Sequence, residues 1–165
     1  MFLRRIGFIL ILLGIVIFPV SASMVSFLIV ETGIPHSANA GEYAFYWEGG
    51  LMGAFFDAGH IVSNSPVMRI ESLPSQALQR GEIPQEALFD FYEAQEGGAD
   101  FFVLAMIEFV SQNGRVIPRE ISVKIFNTVT QLMVYEEKFP AGSGSNSMDV
   151  YSNAQDAGKR IVAQL

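Results

Sequence analysis

Apolar and polar positions follow two rhythms along this chain, and each change of rhythm marks an element. Val25–Thr32 (VSFLIVET) is a short, largely apolar run with Gly33 and Pro35 behind it. Such a run suits a strand in the middle of a sheet that is covered on both faces. Residues 33–41 are rich in Gly, Pro, Ser and Asn and read as a loop. Over Glu42–Ala58 the rhythm becomes helical: Tyr43, Tyr46 or Trp47, Gly50, Ala54 and Phe55 recur at steps of three or four, and Gly59 is placed to close the helix. Gly49, Gly50 and Gly53 each cost such a helix about 1 kcal/mol relative to alanine. Their spacing reads as permission for a close backbone approach, in a tight contact between helix and sheet.

His60–Glu71 predicts a second strand, interrupted at Pro66, where proline fits only an edge or a bulge. Ser72–Ile83 is mixed. Pro84 stands where a first helical position would, and Gln85–Gln95 continues as a helix with Ala87, Leu88, Phe91, Tyr92 and Ala94 on its apolar stripe. Gly97-Gly98 ends it. Asp100–Val110 (DFFVLAMIEFV) is the strongest strand signal in the chain, and Gln112-Asn113-Gly114 is a hairpin turn signal. Ile121–Phe126 alternates, with Ile121, Val123 and Ile125 on one face and Ser122 and Lys124 on the other. Asn127–Thr130 turns into a further strand, Leu132–Tyr135. Pro140–Ser147 is polar and flexible in composition. Met148–Leu165 closes the chain as a helix capped by Ser147, with Met148, Tyr151, Ala154, Ile161, Val162 and Leu165 on one face. The order β-α-β-α-β-β-β-α predicts an α/β (α+β) fold: a mixed sheet of five or six strands with helices packed on it.

The first thirty residues carry an address. Arg4 and Arg5 precede an apolar stretch from Ile6 to Val20, and Val20-Ser21-Ala22 offers small or β-branched residues for cleavage after Ala22. Residues 1–22 are therefore expected to be a signal peptide, with 23–165 as a single periplasmic or secreted domain. A second reading stays open: no charge appears between Ile6 and Val30, long enough for an uncleaved inner-membrane anchor reaching to about residue 30. In both readings Arg4 and Arg5 hold the start in the cytoplasm, and membrane contact is confined to the leader.

Composition narrows the chemistry. The 165 residues hold 10 Lys and Arg against 17 Asp and Glu, a net charge of −7 that becomes −9 once Arg4 and Arg5 are removed. That balance argues against a nucleic-acid surface, which needs clustered positive charge. Cysteine is absent, which excludes disulfides, thiolate catalysis and cysteine-held metals. No metal motif and no phosphate-binding loop is visible, so no cofactor is expected: Gly49-Gly50-Leu51-Met52-Gly53 lacks a following Lys-Ser/Thr. His36 lies in a polar loop without a second ligand nearby. The densest polar cluster holds Asp57, His60, Ser63 and Asn64. It invites a reading as a periplasmic hydrolase that uses His60 with Asp57 or Ser63. Against it, a strand sends residues three apart to opposite faces, about 10 Å from each other. The alternative is that Asp57 and His60 bridge a helix end into a strand. Glu136 and Glu137, adjacent on a strand, face opposite ways and form no acid–base pair. Glu108, near the end of an apolar strand, is expected to be exposed or paired with Arg115, Arg119 or Lys124.

The succession of a short apolar strand, a helix ending in an Asp-x-Gly turn, Gly98-Ala99-Asp100-Phe101-Phe102-Val103-Leu104 leading into the central strand, and a hairpin with Val123-Lys124-Ile125-Phe126-Asn127-Thr128 resembles a known family. This is the periplasmic α/β domain shared by the curli-secretion protein CsgG, the penicillin-binding-protein activator LpoB, the flagellar protein FlgO and the TolB amino-terminal domain. Asn127-Thr128-Val129-Thr130 lacks the glycine usual in that family's hairpin turn. The resemblance spans about residues 25–165 and implies a non-catalytic envelope domain that binds a protein partner. It supplies no catalytic residues, and the lipidation cysteine of many members is missing. The expected contact surfaces are the sheet edge and the first helix, where Tyr43, Tyr46, Trp47, Phe55 and Phe56 exceed what one buried stripe needs. The alternative, that all five are core, is equally open, as is a small-molecule carrier with a pocket between that helix and the sheet.

Overall fold

A computed structural model of the chain describes residues 22–33, 40–70, 82–141 and 146–165. The expectations for the leader, His36, most of the 72–83 stretch and the Gly/Ser run at 142–145 lie outside these residues. The elements are β1 (Met24–Thr32), α1 (Ala40–Asp57), β2 (Ile61–Asn64), β3 (Met68–Ile70), α2 (Leu88–Glu96, preceded by a 3-10 turn over Gln85–Ala87), β4 (Phe101–Gln112), β5 (Arg115–Asn127), β6 (Met133–Pro140) and α3 (Ser147–Val162).

They build the α/β fold read from the sequence. Six strands form one mixed sheet in the order β2-β1-β4-β5-β6, with β3 beside β2 on the same edge of β1. β1 pairs in parallel with β2, β3 and β4, whereas β4, β5 and β6 are antiparallel. Pro66 splits the predicted second strand in two. β2 takes Met24 to Phe27 of β1 as partners and β3 takes Val30 to Thr32, so the missing N–H falls in the gap between them. The crossover through α1 runs from β1 out to β2, and the one through α2 runs back from β3 past β1 to β4; these opposite directions put the helices on opposite faces.

Alternation along the strands supplies a core to each face. Val25, Phe27, Ile29, Val103, Ala105, Ile107, Ile121, Val123 and Ile125 meet α1 through Ala44, Trp47, Leu51 and Phe55, and α3 through Val150, Ala154, Ala157 and Ile161. Leu28, Val30, Phe102, Leu104, Met106 and Phe126 meet α2 through Phe91 and Ala94. The Phe27 ring stands edge-on to Phe55 on the first face, as Phe102 does to Phe91 on the second.

Several local expectations are corrected. The close approach at Gly50 is between helices, not between helix and sheet: a Cβ there would lie 2.5 Å from Ala154 Cβ and 2.7 Å from the Tyr151 carbonyl oxygen. Gly158 answers from α3, where a Cβ would lie 2.6 Å from Ala54 Cβ. Gly50 and Ala54 thus mesh with Ala154 and Gly158, four residues apart on each helix. The cap of α3 is Asn146, not Ser147: its Oδ1 accepts from the Asp149 N–H at 2.9 Å. The α3 stripe holds Ala154 and Ile161 as expected, but Val150, Ala157 and Gly158 complete it, while Met148 and Leu165 are exposed. β5 and β6 extend well beyond their apolar cores, because backbone pairing continues where side chains are polar. Lys124, on the polar side of β5, is nonetheless buried, with Nζ 3.2 Å from Glu136 Oε1.

Both helices that lead into strands end in the same way. Gly59 and Gly98 take positive φ (91° and 81°). The His60 N–H donates to the Phe55 carbonyl, and the Ala99 N–H to the Ala94 carbonyl. These six-residue bonds satisfy carbonyls that the helix end would leave open, with glycine at the left-handed position.

Candidate functional site

The polar cluster at the end of α1 holds elements together. His60 Nδ1 accepts from the Ser23 N–H at 3.4 Å, and its ring packs against Phe55 with centroids 5.7 Å apart. Asn64 Nδ2 donates to Glu48 Oε1 at 2.9 Å, tying β2 to α1. Ser63 sits opposite Ser26 of β1, and Asp57 is exposed at the end of α1. Among the described residues no hydrogen bond joins His60 to Asp57 or Ser63, and no group of three His, Asp or Glu could hold a metal ion. A triad needs nucleophile, base and orienting carboxylate in one hydrogen-bonded line; here the imidazole acceptor is occupied by a backbone amide.

The five α1 aromatic residues singled out from the sequence divide. Trp47 and Phe55 are buried in the core, so neither presents a contact surface: the face carrying Ala44, Trp47, Leu51 and Phe55 is the one that meets the sheet. They fill the space where a carrier would need its pocket. Tyr43 and Tyr46 are half-buried at the rim of that core, and Tyr43 packs edge-on to Phe109. Burial pushes the Tyr43 phenol above its ordinary pKa. Phe56 is 67% exposed. Phe45, which sequence reasoning missed, is 65% exposed. The signal was available: Phe45, Met52 and Phe56 share a stripe at helical spacing that avoids Ala44, Trp47, Leu51 and Phe55.

On the opposite face α2 presents Phe89 and Tyr92 to solvent. No Lys or Arg occurs from residue 82 to 114, whereas Glu82, Glu86, Asp90, Glu93 and Glu96 all fall there. Among the described residues the ion pairs lie away from α2: Arg69 Nε meets the buried Glu31 carboxylate at 2.6 Å, pinning β3 to β1, and Arg119 meets Glu108 of β4 at 3.4 Å.

A third region lies where β6 meets the end of α3. Tyr135, Glu137, Arg160, Ala163 and Gln164 line a cavity of about 390 Å³. The Tyr135 hydroxyl donates to Glu137 Oε2, Arg160 Nη1 is 3.6 Å from Glu137 Oε1, and the guanidinium lies 5.0 Å over the Phe139 ring. Burial, then the bond and charge of Glu137, push the Tyr135 phenol up to about 12. Glu136 points the other way, to Lys124, while Lys138 Nζ meets Glu120 at 2.7 Å. The hydrogen bond and charge of Glu120 raise the Lys138 pKa.

No helix among the described residues is long and apolar enough to cross a membrane. No protein-family model matches the chain, and no curated protein matches it either. Solved structures do. The PelC dodecamer from Paraburkholderia phytofirmans aligns with a TM-score of 0.48 at 9% identity, over 87% of this chain and 86% of that one. The lipoprotein GNA1162 from Neisseria meningitidis aligns with a TM-score of 0.43 at 12% identity, over 84% of this chain and 99% of that one. The LpoB C-terminal domain from Escherichia coli, a member of the family that the sequence resembles, aligns with a TM-score of 0.40 at 16% identity, over 71% of this chain and 80% of that one.

Proposed function

We propose that the chain is an exported, non-catalytic α/β domain of the cell envelope that works by binding a protein partner. The observation that carries this reading is the pair Phe45 and Phe56 on the outer face of α1, with the partly buried Met52 between them in the helical stripe. Both phenylalanine rings are about two-thirds exposed on a helix whose inner face already has a full core. Large exposed aromatic side chains in line are a cost to a monomer and a resource for an interface, where aromatic anchors dominate binding energy. The leader pattern up to Ala22 supports export, and the hydrogen-bonding of His60 supports a structural role for the polar cluster that resembled a catalytic one.

The test places a photo-crosslinking amino acid at Phe45, at Phe56 and, as a control, at the exposed Arg119, in cells that make the full chain. A discrete adduct to one envelope protein from positions 45 and 56 but not 119 supports the reading. Equal labelling from all three positions, or none, counts against it. Hydrolytic turnover by the purified chain that disappears in His60→Ala would replace it with the enzyme reading. Mass spectrometry of the mature N-terminus decides between cleavage after Ala22 and a retained anchor.

A further inference from the structure

The two edges of the sheet differ in a way that points to a second copy of this chain. One edge is blunt: β2 and β3 supply four and three residues with Pro66 between them. The other is β6, eight residues long, with no strand on its outer side among the described residues. A strand edge of that length is a template for pairing with another chain. Along it, Tyr135, Glu137 and Phe139 lie on the face of α1 and α3, and Glu136 and Lys138 on the other.

We propose that β6 pairs antiparallel with β6 of a second copy, about a two-fold axis at Glu137, to make one continuous sheet. An axis normal to the sheet keeps equivalent faces on one side, so only residues of the same face can stand opposite each other. Near the centre of the strand that leaves three registers. Centring on Glu136 sets that carboxylate against its own copy and Lys138 against Val134. Centring on Lys138 sets two ammonium groups together and Glu137 against Phe139. Centring on Glu137 pairs Glu136 with the second copy's Lys138 twice, and Tyr135 with its Phe139 twice, which are the opposite-charge and aromatic combinations that stabilise facing strands. The one like-charge meeting, Glu137 with Glu137, falls where each carboxylate already has the Tyr135 hydroxyl and the Arg160 guanidinium beside it. The charges along β6 that would repel a generic strand therefore fit this strand itself. The interface does not depend on the α1 surface proposed above.

The absence of cysteine makes a direct test available. Only a residue on the axis stands opposite its own copy, within about 4.5–5.5 Å between Cβ atoms, which mild oxidation can close to a disulfide. Single cysteines are placed at 136, 137 and 138 in the full chain, expressed with its own leader and oxidised in the cell. The expected result is a disulfide-linked dimer from Glu137→Cys at least tenfold more abundant than from Glu136→Cys or Lys138→Cys. Because Glu137→Cys also removes a local hydrogen bond, a charge swap read by sedimentation of the purified chain gives an independent arm. Glu136→Lys and Lys138→Glu each also break an intrachain pair, with Lys124 and with Glu120. Each should weaken its own dimer at least tenfold, and an equimolar mixture of the two single variants should restore dimerisation, because the mixed pair regains both opposite-charge contacts at the same intrachain cost. A dominant crosslink at 136 or 138, no crosslink at any position, a monomeric parent chain, or a mixture no better than the single variants alone would each overturn the proposal.

Discussion

Among the described residues, one face of the sheet carries two helices that interlock through Gly50, Ala54, Ala154 and Gly158; the other carries one nine-residue helix, α2, whose outer side is aromatic and acidic. The first face is closed by shape. Small residues let the helix backbones approach, and Trp47, Leu51 and Phe55 reach past them into the sheet. The second face is closed by a few large rings, with Phe91 on Phe102 at its centre. The same chain thus uses two routes to a dry interior, and they should respond differently to substitution.

The largest expected effects compare the central rings. Phe55→Ala should cost about 4 kcal/mol in chemical denaturation, and Phe91→Ala about 3 kcal/mol, since the thinner cover over Phe91 can collapse more easily into the space left. Equal losses would mean that the faces are equally rigid. Gly158→Val adds bulk where a Cβ would already be 2.6 Å from Ala54 Cβ, and should cost about 3 kcal/mol. Paired with Ala54→Gly it should recover part of that loss, which ties the cost to the seam. Asn146→Ala should cost about 1 kcal/mol by removing the cap of α3. Its helical signal should fall while α2 is untouched. The smallest effect is confined to high pH. The Tyr135 phenol is raised from 10.0 to about 12, so its contribution is complete below pH 10 and is lost as pH rises through 12. Ultraviolet titration should find one tyrosine ionising last, and Tyr135→Phe should remove that step and flatten the stability profile across the same window.

The strands and helices were legible because each rests on local periodicity. Phe101–Val110 declared itself as a buried strand, and Asn113-Gly114 as the turn after it, without any knowledge of neighbours. What stayed hidden depends on which element lies opposite. Gly50 announced a close approach, but only the position of α3 reveals that Ala154 is the partner. Alternation put Lys124 on the side opposite Ile121, Val123 and Ile125, but did not show that this face of β5 is covered as well. Asn146 and Ser147 are both competent caps by residue type, and the choice between them is made by where the helix first turns. At the candidate sites, the Asp57, His60 and Asn64 cluster was visible as residue types, while its role followed from partners far away in sequence: His60 bonds to Ser23, 37 positions earlier. Glu137 was visible only as a neighbour of Glu136 facing the other way; its grouping with Tyr135 and Arg160 gave no signal, since the arginine arrives from another element.

The place of β1 carries a consequence for how the molecule is made. It is the earliest strand among the described residues and sits inside the sheet, and its neighbour β4 ends its pairing with β1 only at Glu108. A chain that emerges amino end first therefore has only the short β2 and β3 against one edge of β1, and its other edge waits for β4, well past the midpoint. Closing so long a loop is slow, and a chaperone or an attached ribosome would have to shield Val25–Val30 for the whole of that interval.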